Sequence, residues 1–316
     1  MMATEVALFA LGLLAAFLGA ELFVRAASSI ATRFGIPPVV IGLTIVAWGT
    51  SSPELAVSLR AALQGESGVA LGNVVGSNIF NVGIILGLAA CIRPMSVKLS
   101  LLRVDAPILV GLTLFFCLLF FRGSSLSRAD GALLLGVFVA YSWVTLAFTR
   151  REVPPEVREE FSREQPGLFK NVWVATVCLM GGLALLLYGG DLLVDQALVL
   201  ARATGVSERV IGLTIVAAAT SCPELLTSVV AAIHRSADIA IGNIIGSNIF
   251  NLAAILGASS FITPIDAGGL APVDVGVLVV SSAVLLPVMW TRFTIDRREG
   301  VVLIGAYAGY VVALLT

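Results

Sequence analysis

Charge is scarce along this chain. Asp, Glu, Lys and Arg make up 12% of its 316 residues, whereas a typical soluble domain carries about 25%. Hydrophobic residues make up 58%, and apolar stretches recur from end to end with the length of about 20 residues that a helix needs to cross a bilayer. Such unbroken runs do not fit the alternating strands of about ten residues that build an outer-membrane barrel. The composition predicts an all-α integral membrane protein.

Residues that carry enzyme chemistry are also few. Histidine occurs once, at His234, and the four cysteines lack metal-type spacing. We interpret His234 as a solvated loop residue and the cysteines as small apolar core residues. The sequence contains no Gly-rich phosphate loop and no basic tract that would suggest a nucleic-acid partner. We therefore expect neither an enzyme, nor a cofactor, nor a bound nucleic acid.

An internal repeat dominates what is present. Residues 41–90 and 211–260 align without a gap, and 27 of the 50 positions are identical. A weaker likeness extends beyond them, so the repeat unit spans five apolar segments. The chain should therefore contain ten transmembrane helices, at about 6–31, 38–62, 69–92, 104–121, 130–149, 171–201, 208–233, 239–262, 273–291 and 299–315.

The repeat also predicts how the chain is divided and oriented. Residues 1–149 form the first five-helix repeat, the polar segment 150–170 is a linker, and residues 171–316 form the second repeat. Because five is odd, the second repeat enters the membrane from the opposite side, which gives two inverted repeats. With both termini outside, 13 Lys and Arg residues fall on the cytoplasmic side and five outside. The positive-inside rule therefore places the linker in the cytoplasm.

Helices 2 and 7 are predicted to be broken. Each carries a Thr-Ser-X-Pro-Glu motif, GTSSPE at 49–54 and ATSCPE at 219–224. Proline lacks an N–H and clashes with the preceding turn, so Pro53 and Pro223 should interrupt their helices. Interrupted backbone at membrane depth is tolerated only against protein or a wet cavity. We expect this interruption to free backbone carbonyls as cation ligands, namely those of Ala47, Thr50, Ala217 and Thr220.

Glu54 and Glu224 follow these prolines directly. An ionised side chain at the centre of a bilayer costs roughly 2.5–3.5 kcal/mol on insertion scales. A bound cation or a proton would offset that cost. Two matched carboxylates in a duplicated membrane protein therefore indicate a cation pathway near the midplane. Two further matched acids, Asp105 and Asp274, open helices 4 and 9 and are interpreted as N-caps.

A second matched motif follows, GNVVGSNIFN at 72–81 and GNIIGSNIFN at 242–251. Its glycines, Gly72 with Gly76 and Gly242 with Gly246, should allow close helix contact. Its polar residues recur every four positions and share one helix face. We assign four of them to the cation cluster, and the asparagines at 73, 78, 243 and 248 to hydrogen bonds between helices. The four cluster residues are Ser77, Asn81, Ser247 and Asn251.

Every candidate ligand is an oxygen, which suits hard cations such as calcium, magnesium and sodium. Two carboxylates balance one divalent ion, two sodium ions or two protons. Competition for one set of charges is a physical basis for antiport, because the site cannot hold both kinds of ion together.

The two motifs in each half resemble the paired α-repeats of the sodium/calcium exchanger family, of the compact prokaryotic type. The resemblance implies ten helices, ions bound midway between the repeats, and first and sixth helices that slide to alternate access. It adds Ser51 and Ser221 to the ligands. Some members have Asp where this chain has Asn81 or Asn251, which leaves the sodium stoichiometry and any potassium dependence open. The full implied set is Ala47, Thr50, Ser51, Glu54, Ser77, Asn81, Ala217, Thr220, Ser221, Glu224, Ser247 and Asn251.

The leading hypothesis is a secondary antiporter that exchanges calcium for sodium across the cell's inner membrane, working as a single chain with calcium and sodium ions and the lipid bilayer as partners. An alternative keeps the fold and exchanges calcium, or another cation, for protons. A more distant alternative is a cation channel. Channels usually gather ligands around a pore in an oligomer, whereas one chain supplies both halves here.

Overall fold

The computed structural model describes residues 2–123, 125–149, 171–203, 217–266 and 270–315. The predicted linker at 150–170 and the first part of predicted helix 7 lie outside the described residues.

The described chain is almost entirely helical. Helices α1 to α6 come from the first half of the sequence (residues 1–149) and α7 to α12 from the second half (residues 171–316). Their bounds are α1 Met2–Phe34, α2 Pro38–Thr50, α3 Ser52–Leu63, α4 Ser67–Ile92, α5 Leu101–Arg122, α6 Arg128–Thr149, α7 Val172–Ala203, α8 Ala217–Thr220, α9 Cys222–Ile233, α10 Ala237–Ile262, α11 Pro272–Trp290 and α12 Arg297–Leu315.

Seven of the described helices are long and apolar enough to cross a membrane, and the bent pair α2 and α3 could form an eighth span. The chain is therefore a multi-pass membrane protein. A helix occupies the described part of each of the ten predicted segments. The number of ten crossings stays a prediction.

Within the described residues, four two-residue strands join the two halves of the sequence. The strand β1, Met95–Ser96, pairs antiparallel with β4, Thr294–Ile295, and β2, Ser125–Leu126, pairs antiparallel with β3, Ile265–Asp266. Each pair links a connection of the first half to a connection of the second half. Because equivalent residues of the two repeats are 170 positions apart, β1 corresponds to β3 and β2 to β4, so each pair joins two connections that are not equivalent in the repeat.

The helices α1 and α7 pack against each other through small residues. A Cβ atom added at Gly182 of α7 would lie 2.7 Å from the backbone nitrogen of Phe23 on α1. Such a distance leaves no room for a side chain, so the two backbones are in close contact. Large apolar side chains on the outer faces of both helices, such as Leu14 and Val177, are exposed, as expected for surfaces that meet lipid.

The helix α10 lies at the centre of the protein and is buried over most of its length, although Phe261 and Ile262 at its C-terminal end are exposed. A Cβ atom at Gly242 would lie 2.8 Å from the carbonyl oxygen of Val39, and one at Gly246 would lie 2.6 Å from that of Leu43. The predicted close glycine face is therefore confirmed for α10. It is wrong for Gly72, because a Cβ atom there would meet nothing within 4 Å.

The N-cap prediction is wrong for Asp105 and also for Asp274, because the N-cap residue of α11 is Ala271 and Asp274, at the third position of that helix, caps its start by a bond back to Ala271. Asp105 has helical backbone angles and makes no cap hydrogen bond, because the helix already begins at Leu101. Its carboxylate instead accepts a bond of 2.9 Å from the Tyr141 hydroxyl. Asp274 accepts a bond from the Ala271 N–H at 3.2 Å, and another from the Tyr310 hydroxyl at 2.7 Å.

Candidate cation site

Two short breaks in the helical backbone build the site. Ser51 separates α2 from α3 with φ −81° and ψ 11°, and Ser221 separates α8 from α9 with φ −84° and ψ 9°. The axes of α2 and α3 differ by 48°. Because each proline lies two residues after its break, the predicted interruptions are confirmed, and each break places a glutamate in the first turn of the helix that follows.

The expectation about freed carbonyls needs a correction at Ala47. Its carbonyl oxygen accepts the Ser51 N–H at 3.0 Å and the Thr50 hydroxyl at 3.3 Å, so the break does not release it. The carbonyl that loses its helical partner is that of Gly49, four residues before Pro53, because proline has no N–H to donate to it. The Ser52 hydroxyl donates to that oxygen at 2.9 Å. A carbonyl oxygen has a second lone pair, so Ala47 as a ligand stays a prediction.

The two glutamates are buried and are bonded across the two halves. Glu54 is 0% exposed and Glu224 is 1% exposed. The Ser51 hydroxyl donates to Oε1 of Glu224 at 2.6 Å, and the Ser221 hydroxyl donates to Oε1 of Glu54 at 2.9 Å. Each carboxylate therefore lies against the break in the opposite half. Ser51 and Ser221, which only the resemblance implied, are direct neighbours of the acids.

Threonines and asparagines repeat this exchange. The Thr50 hydroxyl donates to Oδ1 of Asn243 at 3.2 Å, and the Thr220 hydroxyl donates to Oδ1 of Asn73 at 3.2 Å. The side-chain amide of Asn73 in turn donates to the Glu54 carbonyl at 3.2 Å. Each of these asparagines thus joins the broken helix of its own half to the broken helix of the other half.

Two further asparagine pairs cross between α4 and α10. The amide of Asn81 donates to Oδ1 of Asn248 at 2.9 Å, and the amide of Asn251 donates to Oδ1 of Asn78 at 3.3 Å. The predicted hydrogen bonds between helices are therefore present for Asn78 and Asn248. They connect directly to residues that the sequence assigned to the cation cluster.

The site contains buried oxygens that no protein group satisfies. In the described part of the chain, nine buried side-chain atoms have no hydrogen-bond partner. Six of the nine are oxygens of residues that the sequence predicts as ligands. They are Oε2 of Glu54, Oε2 of Glu224, Oγ of Ser77, Oγ of Ser247, Oδ1 of Asn81 and Oδ1 of Asn251. A buried polar atom without a partner costs about 1–3 kcal/mol, so six of them in one motif set need an explanation.

No basic side chain neutralises the two acids within the described ranges. Ion pairs of the described residues join Arg25 to Glu21, His234 to Glu21, Lys98 to Asp238, and Arg122 to Asp130, and none of these pairs includes Glu54 or Glu224. The charge of a buried carboxylate without a counter-charge is costly. The arrangement therefore favours a positively charged or protonated occupant.

The structure places most of the predicted site residues in this network, and some of their partners were not predicted. Thr50, Ser51, Glu54 and Asn81 of the first half, and Thr220, Ser221, Glu224 and Asn251 of the second, all make bonds that cross the halves. Ser77 and Ser247 are 0% exposed on the same helices as the asparagines. Ala217 begins α8, and its side chain lies outside the described residues. Sequence reasoning missed Ser58 and Ser228, which accept bonds from Asn73 and Asn243 at 2.8 and 2.9 Å.

Comparison with known proteins agrees with this geometry. The chain matches the protein family described as sodium/calcium exchanger protein over residues 4–147 and 174–316. It is 42% identical to CaxA of Alkalimonas amylolytica over 307 residues, which cover 95% of each chain. It is 33% identical over 341 residues to the sodium/calcium exchanger MaX1 of Methanosarcina acetivorans, with 96% of each chain covered.

A solved structure has the same fold. It is that of the sodium-calcium exchanger NCX_Mj soaked with 2.5 mM Na⁺ and 1 mM Sr²⁺, at a TM-score of 0.84 and 32% sequence identity. The match covers 100% of this chain and 99% of that chain. Likeness in sequence and likeness in fold therefore both extend over nearly the whole molecule.

Proposed function

Because this chain belongs to the sodium/calcium exchanger family, and is therefore a multi-pass ion antiporter rather than an enzyme, we propose that it exchanges calcium for sodium by alternating access. The transported ions are its substrates, and no cofactor takes part. The proposal rests on the six buried oxygens of Glu54, Glu224, Ser77, Ser247, Asn81 and Asn251 that lack a protein partner.

The number and kind of these oxygens fit calcium. Calcium takes about 6–8 oxygen ligands at roughly 2.3–2.6 Å and accepts carboxylates, amides and hydroxyls. The two carboxylates would supply the formal charge, and the hydroxyls and amides would supply neutral ligands. The proposed ligand set is that of the sequence: Ala47, Thr50, Ser51, Glu54, Ser77, Asn81, Ala217, Thr220, Ser221, Glu224, Ser247 and Asn251.

The charge of the site gives the coupling. Glu54 and Glu224 together carry two negative charges, which one calcium ion or two sodium ions would balance. An ionised but unoccupied pair would have to cross the membrane interior at a cost of roughly 2.5–3.5 kcal/mol for each carboxylate. The occupied site would therefore switch from one side of the membrane to the other more readily than the ionised, unoccupied site. After one ion has left, the site would have to bind the other ion before it can switch back, which couples the two movements.

The same proposal includes the architecture. Ten membrane helices would form two inverted five-helix repeats, residues 1–149 and 171–316, joined by a linker at 150–170. The reciprocal bonds support it, because Ser51 to Glu224 is matched by Ser221 to Glu54, and Thr50 to Asn243 is matched by Thr220 to Asn73. Such pairs are what a two-fold axis in the membrane plane would generate.

We further propose that both termini lie outside and that the linker is cytoplasmic, on the strength of the positive-inside bias. In a variant lacking the four native cysteines, a cysteine introduced within 150–170 should react with an impermeant maleimide only after the membrane is opened. Labelling of intact cells at that position would reverse the assigned orientation.

Purified protein in liposomes tests the exchange. An outward sodium gradient should drive calcium uptake, and Glu54→Gln or Glu224→Gln should abolish that uptake while the protein stays folded. Glu66→Gln is the matched control, because Glu66 is an exposed acid at the N-terminus of α4. Uptake at the wild-type rate in both glutamine variants at the site would reject the proposal.

The proton alternative has a distinct outcome in the same vesicles. If calcium uptake follows a pH gradient and ignores sodium, the coupling ion is the proton and the same two glutamates carry it. A channel would instead show single-channel conductance without coupling between ions. The cross-bonded pairs within a single chain favour the antiporter over a pore built by several subunits.

A further inference from the structure

Four buried asparagines form two reciprocal pairs between α4 and α10. Asn78, Asn81, Asn248 and Asn251 are each at most 1% exposed. Asn81 donates its amide N–H to Oδ1 of Asn248, and Asn251 donates its own to Oδ1 of Asn78. One member of each pair belongs to the proposed ligand set, and the other does not.

The direction of these bonds fixes which end of each amide remains without a hydrogen-bond partner. An asparagine side chain carries a donor NH₂ group at one end and an acceptor oxygen at the other. The donor ends of Asn81 and Asn251 are already engaged, and the acceptor oxygens of both have no partner. A rotation of either amide by half a turn would present NH₂ hydrogens instead, and these repel a cation. The orientation of the amide therefore decides whether the residue can serve as a ligand.

One of the two acceptors is itself anchored. The amide of Asn248 donates to the backbone carbonyl of Asn78 at 3.5 Å. Its donor end is thereby engaged, and its oxygen is turned toward Asn81. Two hydrogen bonds thus connect the Asn78 backbone carbonyl to the Asn248 amide and the Asn248 amide to the Asn81 amide. Together they fix the direction in which Oδ1 of Asn81 points relative to the backbone.

We propose that Asn78 and Asn248 are positioning residues that do not touch the transported ion. Asn248 holds the amide oxygen of Asn81 toward the cation, and Asn78 does the same for Asn251. The inference rests on the proposed function, since it assigns a role within that same site. It explains why two asparagines outside the ligand set lie buried beside two asparagines inside it.

Calcium binding to the purified full-length protein, measured by isothermal calorimetry, tests this division of roles. Asn78→Ala and Asn248→Ala should each lower the affinity about tenfold, which corresponds to the loss of one well-formed hydrogen bond. In the Asn251→Ala background, Asn78→Ala should change the affinity less than about twofold, because the amide that it orients is already gone. Asn248→Ala should behave likewise in the Asn81→Ala background.

Crossed pairs provide the control. Asn78→Ala combined with Asn81→Ala should multiply the two single effects, since these residues belong to different pairs. A purely structural role would reduce the affinity equally in matched and crossed backgrounds. Multiplicative effects within the matched pairs, or unchanged affinity in Asn78→Ala and Asn248→Ala, would overturn the positioning role.

Asn78→Asp and Asn248→Asp give a second measurement should an alanine variant fail to fold. Aspartate keeps the acceptor oxygen, so both variants should retain at least the wild-type calcium affinity, and a tenfold loss in either would overturn the inference. The wild-type titration separates the two proposals. No calcium binding to the wild type would refute the proposed function and the positioning role with it. If the wild type binds calcium but the two substitutions of a matched pair act independently on the affinity, the positioning role alone is refuted.

Discussion

The hydroxyl of Ser51 lies 2.6 Å from a carboxylate oxygen of Glu224, although the two residues are separated by 173 positions in the sequence. Ser51 lies at the break between α2 and α3, and Glu224 lies in the first turn after the break between α8 and α9. The bond therefore connects the two breaks. The mirrored bond from Ser221 to Glu54 completes the exchange. Each half of the sequence thus supplies the acid of one pair and the hydroxyl of the other.

Removal of one of these hydroxyls should weaken the protein when no cation is present. Ser51→Ala or Ser221→Ala deletes a hydrogen bond to a buried carboxylate, and such bonds contribute about 1.5–3 kcal/mol. The free energy of unfolding in detergent, measured with a chelator, should fall by about that amount. Ser142→Ala is the control, because Ser142 bonds only to the Phe138 carbonyl of its own helix. Equal losses in the control and the site variants would contradict this prediction.

Calcium should stabilise the folded protein through the two glutamates. A ligand at 100 times its dissociation constant adds about 2.7 kcal/mol to the free energy of unfolding. Thermal unfolding in detergent should therefore shift upward as calcium is added to the wild type. Glu54→Gln combined with Glu224→Gln should remove that shift, because the formal negative charge of the site is gone. A shift that persists in the double variant would mean that calcium binds elsewhere.

Two matched glycines should respond in opposite ways to the same substitution. Gly242→Ala places a Cβ atom 2.8 Å from the Val39 carbonyl oxygen and 3.2 Å from the Gly42 Cα, which forces α2 and α10 apart. We expect a loss of about 1–3 kcal/mol in unfolding free energy. We also expect lower exchange, because the strained contact lies next to Asn243, which accepts a hydrogen bond from the proposed ligand Thr50.

Gly72→Ala occupies the equivalent position in the first half and meets nothing within 4 Å. It should be neutral or should stabilise the protein by up to about 1 kcal/mol, since alanine favours a helix more than glycine does. Unfolding curves of the two variants, measured side by side, check the contrast. Equal destabilisation in both would show that the two glycine faces pack alike.

The one histidine is paired rather than simply solvated as predicted. Nε2 of His234, at the end of α9, lies 2.6 Å from Oε2 of Glu21 on α1, and Arg25 pairs with the same carboxylate. Pairs that are partly open to solvent contribute about 0–1 kcal/mol. His234→Ala should therefore lower the unfolding free energy by no more than about 1 kcal/mol and leave calcium uptake unchanged. A loss of uptake would assign this contact a role in transport.

Much of the fold follows from the sequence because it depends on local properties. Apolar runs of membrane length predict helices wherever they occur, and the helices occupy the predicted segments in the described part of the chain. The proline at 53 predicts the break at Ser51 because a missing N–H acts within one turn of helix. The duplicated motifs identify Glu54 and Glu224, since a buried acid in an apolar chain is costly wherever the helix packs.

Other features depend on which surfaces meet, and the sequence expectations were wrong there. Gly72 and Gly242 occupy equivalent positions of the repeat, yet of the two only Gly242 faces another backbone, because α10 is central and buried over most of its length. Asp105 looked like a helix cap, but the helix begins four residues earlier and the acid bonds to Tyr141 on another helix. Neither outcome is encoded within one turn of the residue concerned.

The sequence by itself determined the membrane helices, the duplication, the breaks and the two acids, because each follows from hydropathy, backbone chemistry or identity between segments. Only the tertiary structure decided that Glu54 and Glu224 each bond to the serine at the break of the opposite half, and which end of the Asn81 and Asn251 amides has no hydrogen-bond partner. The reason is geometric. A hydrogen bond is set by angles and by distances of about 3 Å, and residues 173 positions apart reach that precision only after every helix between them has packed.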